Sequence, residues 1–168
     1  QIITESLVLN PQIVVEEFSY NSGSGRFLRL KAMGNSTFTI SYNATVDSYY
    51  SLFDQRQEFQ TVPVVDLDGE IIPFLFPSRY CQSDKLQKLA YKEFGSIENI
   101  YSKVLAITDW IYNNVEYVSG STNSQTSALD TLTERTGVCR DFAHLGITLC
   151  RALSIPARYL TCYAYTLQ

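Results

Sequence analysis

From Phe38 to Val46 apolar and polar side chains alternate without a break: Phe38, Ile40, Tyr42, Ala44 and Val46 on one side, Thr39, Ser41, Asn43 and Thr45 on the other. A period of two predicts a strand with one dry and one wet face. Arg26 to Ala32 repeats the pattern, with Leu28, Leu30 and Ala32 opposite Arg29 and Lys31, and Ile13 to Tyr20 is rich in β-branched and aromatic residues. Asn21 to Gly25 reads as the turn between these runs, Asp66 to Gly69 as a later turn, and Ile71 to Phe76 as the apolar run after it. Residues 1–76 are therefore expected to form an N-terminal antiparallel β-domain, a sheet or sandwich-like unit.

Beyond Pro73 and Pro77 the period changes. Ser83-Asp84 is a plausible cap for a helix with Leu86, Leu89, Ala90 and Phe94 on one face and Gly95 as its stop. Ile100, Val104, Ile107, Ile111 and Val115 fall at helical intervals and predict a second helix from about Ile97 to Val115. Ser119 to Ser127 is a polar loop without a large apolar residue, and a gate over a cleft is one role open to it. Ser127 then caps a short helix, Ala128 to Leu132, and Thr133 to Gly137 breaks the pattern. Past Gly137 a helix begins at once, with Phe142, Leu145, Leu149 and Leu153 in one stripe and Ala143, Ile147 and Cys150 widening it, so that most of its sides are buried. Ser154-Ile155-Pro156 ends it, because proline disfavours helical geometry in the residue before it. Ala157 to Tyr165 reads as a strand, with Tyr159, Thr161, Tyr163 and Tyr165 alternating against Leu160, Cys162 and Ala164. The fold class is α+β, with the change from strands to helices placed between domains 1–76 and 77–168.

Composition narrows the functions open to such a chain. Its 168 residues carry a net charge of −4, which offers no basic surface to a phosphate backbone, so no nucleic-acid partner is expected. No apolar stretch approaches the roughly 20 residues of a membrane span. Cys81, Cys139, Cys150 and Cys162 include no Cys-x-x-Cys pair, and a single histidine is too few for the usual mixed zinc site, so neither metal nor cofactor is expected. Cys139 and Cys150 on one helix lie about 16 Å apart at about 1.5 Å per residue, beyond the about 7 Å limit for a bridge. Free thiols in a reducing, cytoplasmic setting are the expectation. Asn35-Ser36-Thr37 and Asn43-Ala44-Thr45 fit the glycosylation pattern, which matters only in a eukaryotic secretory setting.

The chemistry gathers at Gly137-Val138-Cys139-Arg140-Asp141-Phe142-Ala143-His144. In the first turn of a buried helix, unpaired N–H groups and the positive end of the dipole favour a thiolate, and Arg140 adds positive charge beside it. A thiolate there can attack an acyl carbon while backbone N–H groups hold the oxyanion. The plainer alternative is a small packed hydrophobe.

This segment, together with Pro77-Ser78-Arg79-Tyr80-Cys81 and the stretch from Cys150 to Tyr159, resembles bacterial transglutaminase-like proteins, often described as cysteine proteases. The resemblance implies an N-terminal β-domain joined to the first part of a papain-like, transglutaminase-type catalytic core. It matches Cys139 to the nucleophile of a Cys-His-Asp triad, and it implies a protein or peptide amide substrate and acyl transfer through a thioester, either to water or to an amine; hydrolysis rather than cross-linking is the expectation for this chain. The family's histidine and aspartate lie on strands after the tyrosine-rich one, beyond Gln168. His144, five residues after Cys139, is turned about 500° around the helix and about 7.5 Å along it, so the two cannot share a proton. The chain is accordingly expected to be a fragment of a longer enzyme, or to have its sheet completed by a second chain. The alternative is a non-catalytic interaction module that keeps the fold without a working triad.

Other constellations have plainer readings. Asp109 and Glu116 are two helical turns apart and read as solvated face residues; Asp66 and Asp68 read as turn formers rather than calcium ligands. Arg135, Arg140, Arg151 and Arg158 read as surface ion-pair formers, with carboxylate binding as the sharper option. Trp110 reads as a core residue that could border the cleft, and Cys150 and Cys162 as buried and inert.

Overall fold

β1 (Ile2–Asn10) runs antiparallel to β4 (Thr39–Val46), with Leu7 opposite Tyr42 and Asn10 opposite Thr39. β2 (Val15–Tyr20) and β3 (Gly25–Leu30) form a second antiparallel pair in which Phe18 faces Phe27. The computed structural model describes residues 1–20, 25–31, 34, 37–49 and 60–161. The chain divides into two compact units, Gln1–Gln57 and Glu58–Gln168.

In the first unit the two pairs are tied by charge. Glu5 of β1 accepts two hydrogen bonds from Arg26 of β3, at 2.8 and 2.6 Å, and one from the Tyr42 hydroxyl of β4 at 2.8 Å. Arg26, with Tyr42 behind it, holds the Glu5 carboxyl down at about 2. The alternation in β4 is present, but the face expected to be dry is not: Ile40, Tyr42 and Val46 are 48%, 52% and 59% exposed. Alternation specifies which side chains a second layer would cover, and among the described residues no second layer lies on them. β1 escaped the pattern because Leu7, Val8 and Leu9 are apolar in succession, which hides the period of two; its register also shifts between Ile2 and Thr4. The turn at Asn21–Ser24 and Ala32 lie outside the described residues.

In the second unit the run Ile71–Phe76 is not a strand. Ile72–Leu75 forms a 3-10 turn with Pro73 at its start, and another spans Val64–Asp66. Proline has no N–H for a ladder but fits the first turn of a helix. Four helices follow: α1 (Ser83–Phe94), α2 (Ile100–Asn114), α3 (Ala128–Glu134) and α4 (Cys139–Ala152). The expected cap at Ser83-Asp84 is not made, since α1 begins at Ser83 after Gln82 with no side-chain cap bond, but the next two starts have a local cause. The Asn99 side chain accepts the Ser102 N–H at 2.9 Å and starts α2 three residues later than the periodicity alone suggests. The Asp130 carboxylate accepts from both the N–H and the hydroxyl of Ser127, at 2.8 and 2.7 Å, and these bonds hold it below the ordinary carboxylate value.

α1, α2 and α3 all pack on α4. Leu86, Ala90, Phe94, Ile107, Ile111, Leu145 and Leu149 are the centre of the core, and Leu145 and Leu149 are completely buried. Each such leucine contributes about 1.5–3 kcal/mol of transfer free energy. β5 (Glu116–Tyr117) and β6 (Thr136–Gly137) form a short parallel pair that leads into α4. At its far end α4 closes through Ser154, whose φ is 59°, two residues before Pro156.

The strand expected from Ala157 is absent over residues 157–161. Ala157 is fixed instead by its N–H to the Phe74 carbonyl at 3.1 Å and by its own carbonyl, which accepts from Arg151 Nε and Nη2 at 2.9 and 2.6 Å. Its backbone groups are thus taken by a 3-10 turn and a side chain, not by a neighbouring strand. Cys162, Tyr163 and Tyr165 lie outside the described residues.

Candidate functional site

Gly137 admits the closest approach in this region. A Cβ there would stand 3.0 Å from Asp141 Cβ and 3.3 Å from Thr131 Cγ2, so only glycine lets β6 pass this close to both α3 and α4. The Gly137 carbonyl accepts the Val118 N–H at 3.0 Å, and the Arg135 carbonyl accepts the Glu116 N–H at 2.8 Å. These bonds fix the residues immediately before α4, and Cys139 is that helix's first residue.

Cys139 is exposed, whereas Cys81 and Cys150 are buried; all three are free thiols. Burial pushes the Cys150 thiol up to about 11, which makes it unreactive. On a helix, Phe142, Ala143 and Gly146 share the face of Cys139, at spacings of three, four and seven. Those residues, with Thr108, Asp109, Ile111 and Tyr112 of α2, line an open apolar groove of about 560 Å³.

Arg140 and Asp141 are not two separate charges. They engage each other: Arg140 Nε and Nη2 both lie 3.1 Å from Asp141 Oδ1. Arg140 Nη2 also donates to the Asn123 carbonyl at 2.9 Å and to Thr122 Oγ1 at 3.2 Å. The Thr122 hydroxyl donates to Asp141 Oδ2 at 2.6 Å, and so does the Val138 N–H at 3.0 Å. Valine has no side-chain acceptor, so only the reciprocal half of a capping box exists here. Burial alone would raise the Asp141 carboxyl; Thr122, the Val138 amide and Arg140 outweigh it and hold the group below its ordinary value.

A second set of bonds reaches the same loop from Pro77–Cys81. Ser78 and Cys81 exchange backbone hydrogen bonds at 2.9 and 3.1 Å, forming a tight turn. From it the Tyr80 hydroxyl donates to the Ser124 carbonyl at 2.9 Å and Arg79 Nη2 donates to Gln125 Oε1 at 3.0 Å. The polar loop is thus bonded at four consecutive residues, 122–125.

His144 is separate from the thiol. Its ring stacks on Tyr80, with centroids 5.2 Å apart and planes 7° apart, and lies 5.5 Å from Tyr159. Burial lowers its pKa. Trp110 is partly buried and packs against the core, edge-on to Phe94 at 6.3 Å, with the Arg135 guanidinium 5.1 Å above its ring. The four arginines behave differently from the expected surface ion pairs. Among the described residues only Arg140 of the four meets a carboxylate; Arg151 binds the carbonyls of Phe76 and Ala157, and Arg158 lies over Phe74. Asp109 and Glu116 are both exposed. Among the described residues no helix is long and apolar enough to cross a membrane.

Residues 87–168 match the family model described as the transglutaminase-like superfamily, and residues 1–70 match the bacterial transglutaminase N-terminal domain. The chain belongs to the transglutaminase-like superfamily. A solved structure described as a putative cysteine protease from Cytophaga hutchinsonii is 79% identical, with a TM-score of 0.84, over 93% of this chain and 54% of that one. An uncharacterized protein of Mycobacterium leprae is 30% identical over 108 residues, 64% of this chain and 38% of the relative. Another from Mycobacterium tuberculosis is 43% identical over 84 residues, 50% of this chain and 27% of the relative. The transglutaminase-like chain thus spans about half of the solved protein and less of the mycobacterial ones. Its α+β architecture, with antiparallel strands first and helices after, is that of the solved relative.

The sequence singled out Cys139 but not the bonds that join its neighbours Arg140 and Asp141 to Thr122 and Asn123, nor those from Tyr80 and Arg79 to Ser124 and Gln125. One signal was available: an aspartate three residues after a cap position reports a first-turn acceptor. The loop's partners lie nineteen and more residues away, and no local pattern encodes them.

Proposed function

We propose that this chain carries the nucleophile of a transglutaminase-like cysteine hydrolase that cleaves protein or peptide amides through a Cys139 thioester. The exposure of Cys139 at the first residue of a helix whose other residues are all buried or half-buried is the observation that supports the reading. The sulfur attacks the amide carbonyl carbon, first-turn N–H groups stabilise the developing oxyanion, and the C–N bond breaks as the amine leaves with a proton. Water then cleaves the thioester, releasing the acid and restoring the thiol. A general base must take the thiol proton, and His144, held against Tyr80, is not placed to do so.

The test is turnover of a peptide-amide library by the full chain, with Cys139→Ser alongside. Loss of turnover, together with a mass-detected acyl adduct on Cys139 in the parent, supports the enzyme. Turnover that survives the substitution, or no adduct with any amide, favours the non-catalytic interaction module instead.

A further inference from the structure

We infer that Asp141 is a positioning residue, which fixes the 122–125 loop as one wall beside Cys139 and so sets how large a group can reach the sulfur. The inference rests on the reading of Cys139 as the reactive thiol. Asp141 has none of its surface exposed. A buried carboxylate is held only where donors surround it, and here each donor comes from a different place. Val138 N–H is the residue before Cys139, Arg140 is the residue after it, and Thr122 is in the loop. One carboxylate therefore joins both neighbours of the thiol to the loop.

Arg140 extends the connection, since the Nη2 that pairs with Asp141 also donates to Thr122 Oγ1 and the Asn123 carbonyl. The loop has little freedom left. Gln125 N–H donates to Asn123 Oδ1 at 2.7 Å, and Tyr80 and Arg79 hold Ser124 and Gln125 from the opposite side in sequence. An acidic residue that merely complemented the helix dipole would need none of this. The bond from Thr122, nineteen residues away, separates the two roles.

The test compares alkylation of Cys139 in the full chain by a small reagent, iodoacetamide, and a bulky one, fluorescein-5-maleimide, with the site read by peptide mass mapping. The variants are Thr122→Val, Thr122→Ser and Asp141→Asn. In the parent the wall disfavours the bulky reagent. In Thr122→Val and Asp141→Asn the bulky-to-small rate ratio rises by roughly tenfold, the scale on which small misplacements alter reactivity. Thr122→Ser, which keeps the donor, retains the parent ratio. A purely structural role lowers the melting temperature of Thr122→Val and leaves its ratio where it was, and that result overturns the inference. Should Asp141→Asn fail to fold, the Thr122→Val and Thr122→Ser pair still decides. Failure of the catalytic reading is separate: it is turnover surviving Cys139→Ser, which leaves the size selectivity of the parent thiol unaltered.

Discussion

Tyr80 and His144 lie face to face, 5.2 Å apart and 7° from parallel, although 64 residues separate them in sequence. Tyr159 contributes a further ring, tilted by 47°. The histidine ring is therefore partly withdrawn from water by its aromatic neighbours. Burial is the main reason its pKa falls; Arg140 acts in the same direction, and Asp141, one turn earlier, opposes both.

A pH dependence follows from that direction. As pH falls past the usual histidine value of about 6.5, the unfolded chain takes up the proton before the folded one does, so stability declines. His144→Phe keeps a ring in the stack and removes the titration. Urea denaturation of both proteins should therefore show the variant gaining on the parent below about pH 6.5 and a constant difference above it. Asp130 and Asp141, whose folded pKa values are lowered, lose their contribution only in more acidic solution and are common to both proteins. A difference that stays constant from neutral to acidic pH contradicts the assignment.

Thiol accessibility is the second expectation. Near neutral pH iodoacetamide should modify Cys139 and leave Cys81 and Cys150 untouched until the chain unfolds, since both are buried and the Cys150 thiol is pushed up to about 11. Peptide mapping before and after urea reads this directly. Early modification of Cys150 would mean that α4 opens in the native state.

Leu149 touches the core from the middle of α4 with no exposed surface. Leu149→Ala should cost about 2–5 kcal/mol, the range for a buried leucine that leaves a cavity. Equilibrium unfolding measures it, and a loss below about 1 kcal/mol would place Leu149 at a far looser site than the burial indicates.

Gly137→Ala tests the tight approach of β6. The added methyl must displace Asp141 Cβ or Thr131 Cγ2, at a cost of about 1–3 kcal/mol. Because Asp141 is one of the two contacts, the variant should also raise the bulky-to-small alkylation ratio at Cys139. An unchanged stability and ratio together would show that the backbone gives way without consequence.

The helices were legible because their stripes are wide: Ile107, Ile111, Leu145 and Leu149 recur at helical spacing and all end in one core. Three of the four first-unit strands were legible for a similar reason, while β1 was hidden by the successive apolar residues Leu7, Val8 and Leu9. Ile71–Phe76 looked like a strand because apolarity over six residues does not reveal its period, and Pro73 decided the outcome. The position of Cys139 at a helix start could be read from Gly137 and the stripe that follows. Its setting could not. Arg140 beside a cysteine suggests a positive charge next to the thiol, but the side chain turns to Asp141, Thr122 and Asn123, contacts that only the tertiary fold creates.

Only residues 135–138 separate α3 from α4, and within that span the carbonyls of Arg135 and Gly137 are engaged by Glu116 and Val118. Adding or deleting a single amino acid there would swap which groups face β5 and rotate the sulfur away from its present direction. Descendants of this chain can therefore drift in length elsewhere, but this four-residue spacer should be inherited with its count intact.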